Sequence, residues 1–317
     1  MQTATKDGFC NTVLTAKTGR PELTARGVDT WKLVRQLRTD REFTTAREAA
    51  RDKTLIQSIE NHRWGLTPGT GTLWFEGHPG VDNLADPADL PSALERVLDE
   101  ARSAGIPVGD DHGVGRLDLT ADLRFDNRWE GLAFLDALAH LDLPRTKPAI
   151  YGRPPETVYL LAKRSGKKLA RVYDKGRQAR SALPGELIRF EDQRRFRGGA
   201  RLPAEAVVQN PEVMSFFFQS RFAPVAASSE GVTIATAEVL ADRISELVAS
   251  GEVSPAKGCR LLGFLMHGDR VALPERTARR WRSELRELGL VLADPLDDDL
   301  VVDVAGGVEE ALAGWSS

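Results

Sequence analysis

The chain has 317 residues, 41% of them hydrophobic and 28% charged, with a formal net charge of −3. That length and apolar content suffice for one large or two ordinary domains and exclude a disordered chain. With no apolar run of about 18 residues, no signal core in "MQTATKDGFCNTVLTAKTGR" and two cysteines, Cys10 and Cys259, in no metal-type spacing, the sequence predicts a cytoplasmic protein without a membrane span or a disulfide framework.

The net charge conceals a block. From Lys163 to Arg201 there are thirteen Lys/Arg and four Asp/Glu, whereas Asp294 to Glu310 carries seven acids and no base. Local fields steer partners, so the basic block points to an anionic one despite the acidic sum.

In chain order, "VDTWKLVRQL" (28–37), "DKTLIQSIENHRW" (52–64) and "GTGTLWFEG" (69–77) read as strands. "PADLPSALERVLDEARSAG" (87–105) has helical spacing, with Leu94, Val97, Leu98 and Ala101 on one face and Gly105 as the stop. "GRLDLTADLRFDN" (115–127) alternates: Leu117, Leu119, Ala121, Leu123 and Phe125 against Arg116, Asp118, Thr120, Asp122 and Arg124. That pattern is a strand with one dry and one polar face. Asn127 caps the next helix, with Glu130 as capping-box partner. "ETVYLLAKRSGKKLARVYDKG" (156–176) reads as a hairpin turning near Ser165–Gly166, and "ELIRFEDQRRFR" (186–197) as a further strand.

Past residue 230 three helices follow: "ATAEVLADRISELVA", "SPAKGCRLLGFLMHG" with Ser254 and Pro255 at its start, and "LPERTARRWRSELRELG" stopped by Gly289. "LVLADPLDDDLVVDV" reads as two strands around an acidic turn. The expected fold is α+β, an antiparallel-rich sheet domain with helices on one face plus a C-terminal helical, winged-helix-like domain. The expected divisions are a catalytic unit over 1–205, a linker over 206–230 and the helical unit over 231–317.

Strand parity gathers candidates. Arg171, Tyr173 and Lys175 share one face, as do Arg189, Glu191, Gln193 and Arg195, and Asp118 and Asp122 lie on the polar face of 115–125. If these strands are neighbours, carboxylates, a phenol and several cations converge. Hard carboxylate oxygens suit Mg2+ or Mn2+. Arg171, Lys175 and a metal ion favour the ionised phenol, which can attack a phosphorus. The plainer alternatives are a packing tyrosine, a solvated strand face at Asp118 and Asp122, and a surface ion pair at Glu191. The five histidines form no His-hydrophobic-His pair; His140 reads as structural, and His78 or His112 as possible helpers to a metal.

"RLDLTAD" (116–122), "TVYLLAKRSGKKLARVYDK" (157–175) and "IRFEDQR" (188–194) resemble, in order and spacing, the motifs of the filamentous-phage gene II-type replication initiators. They resemble more distantly those of the replication initiation factor family. The resemblance covers about 115–200, and "GCRLLGFLMHGDRVALPERTARRWRSELRELGL" (258–290) is similar to a C-terminal segment of the same family. It implies a rolling-circle initiator with Tyr173 as nicking nucleophile and Lys175 its matching lysine. Asp118 and Glu191 would be the acids that hold the metal, with Asp122 joining them. "TLWFEGHPGVDN" (72–83) places Glu76 near the site, although the "SPxKxxxGxN" pattern of the family is absent.

The expected partners are double-stranded origin DNA, single-stranded DNA and host helicase and polymerase. Arg171, Lys175, Arg189, Arg195, Lys167 and Lys168 would contact DNA, as would Arg276, Arg279, Arg280 and Arg282 beside Trp281 on the last helix. Two alternatives stay open: a non-enzymatic DNA-binding regulator, and a conjugative relaxase.

Overall fold

The structure, a computed structural model, describes residues 21–51, 62–67, 69–80, 84–143, 148–152, 156–160, 168–180, 182–230, 232–235, 237–267, 274–292 and 301–316. The expected strand content of 52–61, the turn at Ser165–Gly166, Lys167, the side chain of Lys168 and the acidic turn at 294–299 lie outside the described residues.

The chain begins with β1 (Glu22–Gln36), α1 (Asp40–Arg51), β2 (His62–Thr67), β3 (Thr72–Gly77) and α2 (Leu90–Ser103). β4 (Gly113–Arg124), α3 (Arg128–His140), β5 (Ala149–Tyr151), β6 (Thr157–Tyr159), β7 (Lys168–Asp174), α4 (Lys175–Ala179) and β8 (Leu187–Arg195) follow. Next are β9 (Leu202–Pro203), α5 (Ala204–Val208), α6 (Pro211–Ser229), β10 (Thr233–Ala235), α7 (Ala237–Ala249), α8 (Pro255–His267) and α9 (Glu275–Arg286). β11 (Leu290–Leu292), β12 (Val301–Asp303) and α10 (Val304–Ala313) end the chain.

The first eight strands form an antiparallel sheet in the order β2-β3-β1-β4-β8-β7-β6-β5, with β9 pairing β4. The architecture is α+β. The dry side of β4 is where the alternation puts it: Leu117, Leu119, Ala121 and Leu123 are all buried. One ladder crosses four strands, Val158–Val172–Phe190–Ala121. The rings of Phe134 from α3 and Phe222 from α6 close on Phe190 at 6.1 and 5.2 Å. Each such buried side chain stabilises the fold by about 1.5–3 kcal/mol.

α3 is capped by Asn127, whose side chain accepts from the Trp129 N–H. It also approaches the turn before β8 so closely that a Cβ on Gly131 would overlap the Gly185 carbonyl oxygen. Gly185 itself has φ +89°, a conformation only glycine takes without strain.

Residues 206–230 were expected to link two units; most of them form α6 instead. Asn210 precedes Pro211 at the helix start, and Met214, Phe218, Phe222 and Val225 fill the main core. An unbroken "FFF" and the internal Pro224 hide the helical period, and burial of the 214/218/222/225 stripe overrides the proline.

The helical unit has its own core, in which Leu240, Ile244, Leu261, Phe264 and Leu285 meet. Ser254 caps α8 through the Lys257 N–H, and Gly289 (φ +72°) stops the chain after α9. The two C-terminal strands do not form a hairpin with each other. β10 lies between them, parallel to β11 and antiparallel to β12. The chain then returns to the first core: Val304, Val308, Ala311 and Trp315 pack there. The Trp315 ring stacks on Phe218 at 5.4 Å, and its Nε1–H donates to the Thr120 carbonyl of β4 at 3.1 Å.

No helix among the described residues is long and apolar enough to cross a membrane.

Candidate functional site

The opposite face of the sheet holds a series of charged rungs fixed by strand register. Tyr173, Arg189 and Asp122 form one rung across β7, β8 and β4; Tyr159, Arg171, Glu191 and Thr120 form the next. Gln193, Asp118 and Thr30 follow, then Arg195, Arg116, Lys32 and Glu76. The structure therefore brings Tyr173, Arg171, Arg189, Glu191, Asp122 and Asp118 onto three adjacent strands. Glu76 joins from two strands away.

Each acid on this face faces a cation. Arg189 grips Asp122 as a fork, Nε to Oδ1 at 2.5 Å and Nη2 to Oδ2 at 2.7 Å. Its Nη1 donates to Asp29 Oδ1 at 2.8 Å. Arg171 Nη2 donates to both Glu191 oxygens, at 2.7 and 2.8 Å. Arg116 forks onto Asp118, with its Nε at 2.9 Å from Oδ1. It also reaches Glu76 Oε1 at 2.9 Å, while Lys32 Nζ holds Oε2 at 2.9 Å.

Sequence parity missed three of these groups, Arg116, Lys32 and Asp29. Arg116 was visible on the polar face but was assigned no part. Asp29 sits in β1 where the register with β4 shifts between Val28 and Thr30, so simple alternation does not place it. His78, beside it, donates through Nδ1–H to the Asp29 carbonyl at 2.6 Å.

The electrostatics correct one expectation. Tyr173 is only 5% exposed. Burial first, and then the charge of Glu191, push its phenol well above the ordinary 10.0; Arg189 and Arg171 oppose this and lose. The neutral phenol is thus the stable form, with the Arg171 guanidinium 5.0 Å from the ring centre. Lys175 leaves the strand and starts α4, so it no longer shares the parity of Tyr173. It stays close to the site: burial, then Arg189, hold its ammonium below the usual range, against the pull of Asp29, Asp122 and Glu191.

Burial raises the Asp118 carboxyl to about 6; the Glu191 charge adds to this, while Arg116 opposes it. Burial also acts on Glu76, but Lys32 and Arg116 outweigh it and keep that carboxyl below its ordinary range.

Among the described residues, no three His, Cys, Asp or Glu side chains gather as a closed metal cage. The donors fit an open site better. Asp118 and Glu191 are hard carboxylates placed diagonally on paired strands. Mg2+ is commonly held by one or two carboxylates, with water and substrate phosphates completing its shell.

His112 lies apart from these acids. It is buried against the Phe75 ring, bonded through Nδ1 to the Gly109 carbonyl and held neutral by burial, at about 4. His140 bonds within α3 to the Asp136 carbonyl. On α9, Trp281 packs on Phe264 at 5.4 Å, whereas Arg276, Arg279, Arg280 and Arg282 are exposed; Arg280 pairs with Glu284. Arg195 is exposed at the edge of the polar face.

The chain is similar to a solved rolling circle replication initiator protein from Geobacillus stearothermophilus. The identity is 11% and the TM-score 0.30, over 61% of this chain and 84% of that one. No protein-family profile matches the chain, and no curated protein does.

Proposed function

We propose that the protein is a rolling-circle replication initiator that nicks and rejoins one DNA strand at an origin. The reading rests on one observation: the phenol of Tyr173, the carboxylates of Asp118 and Glu191 and the guanidinium groups of Arg171 and Arg189 lie on one face of three adjacent strands. The motif resemblance independently assigns the chemistry to the same residues.

In this reading the Tyr173 oxygen forms a bond to the phosphorus of the scissile phosphate. The bond to the 3′ oxygen breaks, and the phenolic proton ends on the released 3′-hydroxyl. The product is a 5′-phosphotyrosine that retains the phosphodiester bond for rejoining. Asp118 and Glu191, with Asp122 and Glu76 behind them, would hold Mg2+ or Mn2+, which supplies polarisation of the phosphoryl oxygen. Arg171 has two roles open to it, because the guanidinium that lies over the Tyr173 ring and holds Glu191 is partly exposed and can also receive a phosphate. Transfer of Arg171 from Glu191 to DNA uncovers the ring. Arg195, Lys175, Lys167, Lys168 and the exposed arginines of α9 are assigned to phosphate contacts along origin DNA, whereas Arg189, buried and held on all three nitrogens by Asp122 and Asp29, does not face DNA as the sequence predicts.

A second reading, a non-catalytic DNA-binding regulator, is favoured by the pairing of every acid on this face with a cation and by the protonated, covered phenol. One experiment separates the two. Protein, Mg2+ or Mn2+ and labelled single-stranded origin DNA should give an SDS-stable adduct that disappears in Tyr173→Phe. An adduct that persists in that variant removes Tyr173 from its role. Failure to form one on any origin sequence supports the regulator.

A further inference from the structure

A cleft of about 450 Å3 opens at the far end of the charged face, where β3, β1 and β4 meet the chain following β8. Lys32, Trp74, Arg116, Arg195, Arg197 and Arg201 line it, and Glu76 is its only acid. Lys32 and Arg116 are both spent on Glu76. Arg195, Arg197 and Arg201 make no ion pair with any described acid, and the Nε of Arg201 is buried without a partner. Three cations therefore converge without compensation inside a concavity, an arrangement that disfavours the empty state and favours an anion.

The aromatic part is equally fixed. Trp74 lies across β2 at Gly65, where a Cβ would meet the indole at 2.6 Å, and Lys32 Nζ sits 4.4 Å from the ring centre. Thr67, Thr70 and Thr72 add hydroxyls to the same wall. A cationic groove with an aromatic wall is the chemistry of single-strand binding: guanidinium groups take the phosphates, and a ring packs against a base. A duplex, with its bases paired and inward, is too wide for a cleft of this size; one unpaired strand is not.

We infer that this cleft binds a nucleotide of single-stranded DNA away from the reacting phosphate, with Arg195, Arg197 and Arg201 on the backbone and Trp74 against the base. Arg116, in the cleft, and Asp122, in the Tyr173 rung, are six residue steps apart along β4. At about 3.3 Å per residue that is roughly 20 Å of extended path. The cleft thus acts as an anchor that fixes the course of the strand across the face. The inference rests on reading this face as a DNA surface, and not on the chemistry assigned to Tyr173.

The test uses the full chain carrying Tyr173→Phe, without divalent ions, so that cleavage plays no part. Binding of a labelled mixed-sequence oligonucleotide is followed by anisotropy over a salt series. Replacing Arg195, Arg197 and Arg201 together by Ala should reduce the slope of log affinity against log salt by about 2, from roughly 0.7 per lost contact on a single strand. The triple Lys variant should restore the slope, which guards against misfolding as the cause. Trp74→Ala should weaken oligonucleotide binding about tenfold while leaving inorganic polyphosphate binding unchanged. An unchanged slope in the triple Ala variant overturns the inference. So does equal loss of polyphosphate and DNA binding in Trp74→Ala, which would mark a general anion patch. A free nucleoside triphosphate that binds as tightly as the oligonucleotide would overturn the assignment to a strand.

Discussion

Asp192 provides the sharpest test of how the sheet holds its helices. It lies on the dry side of β8, is 0% exposed, and sits between two arginines. Its Oδ2 accepts from Arg194 Nε at 2.6 Å and its Oδ1 from Arg221 Nε, on α6, at 2.9 Å. Arg194 is also held by α6, donating to the Phe217 carbonyl and lying 4.2 Å from the Phe217 ring centre. Burial lowers the Arg194 guanidinium, Asp192 pulls it back, and Arg221 pushes the same way as burial. Asp192→Ala therefore leaves two cations facing each other among apolar side chains. Breaking a buried pair in this way costs about 3–5 kcal/mol, a large share of the 5–15 kcal/mol typical of a whole domain. Urea unfolding of the wild type and Asp192→Ala measures it. Replacing all three partners with apolar residues of similar volume should recover most of the loss, because no orphaned charge remains. A loss below about 1 kcal/mol, the value of a surface pair, would refute the claim that α6 is clamped to the sheet through Asp192.

Further outcomes are expected. In an alkaline titration followed by ultraviolet absorbance, the Tyr173 phenol should ionise only as the protein unfolds; the difference spectrum against Tyr173→Phe checks this. Because the folded value of Tyr173 is raised, its contribution to stability is complete below about 10 and is lost at higher pH. His112 is lowered from 6.5 to about 4, so the unfolded chain takes up the proton first. Stability should fall over that window by at most about 3 kcal/mol, and His112→Gln should flatten the slope. Asp118 has the opposite sign: with a folded value of about 6 against 3.8, it favours the folded state as pH falls through that interval, and Asp118→Asn should remove the effect. Gly131→Ala should destabilise by about 1–3 kcal/mol through overpacking against Gly185, measured by the urea midpoint.

Alternation in 115–125 sufficed to orient β4, and with it the placement of Asp118 and Asp122 opposite Leu117 and Leu119. Asp192 and Arg194 lie on the dry side of β8, opposite Leu119 and Leu117 of β4, and were not singled out by the sequence reading. Their value there was hidden because the partner, Arg221, comes from a helix whose period is masked by three consecutive phenylalanines. Asp29 was illegible for a different reason: a shift in strand register breaks the period of two. The three-residue β10 carries no local pattern, and only pairing with strands more than fifty residues away makes it a strand. The charge state of Tyr173 also lay beyond the sequence, since counting neighbouring cations omits the cost of burial.

The placement of β10 between β11 and β12 has a practical meaning. The chain leaves the main body and re-enters it through adjacent strands, so α7, α8 and α9 form a closed excursion tethered at a single waist. Trimming the protein from its C-terminal end to dispose of those helices would also strip away Trp315 and the apolar side of α10, opening the layer under Thr120. Excising the excursion internally and rejoining the two banks of the waist is the cut that leaves the larger body its own keystone.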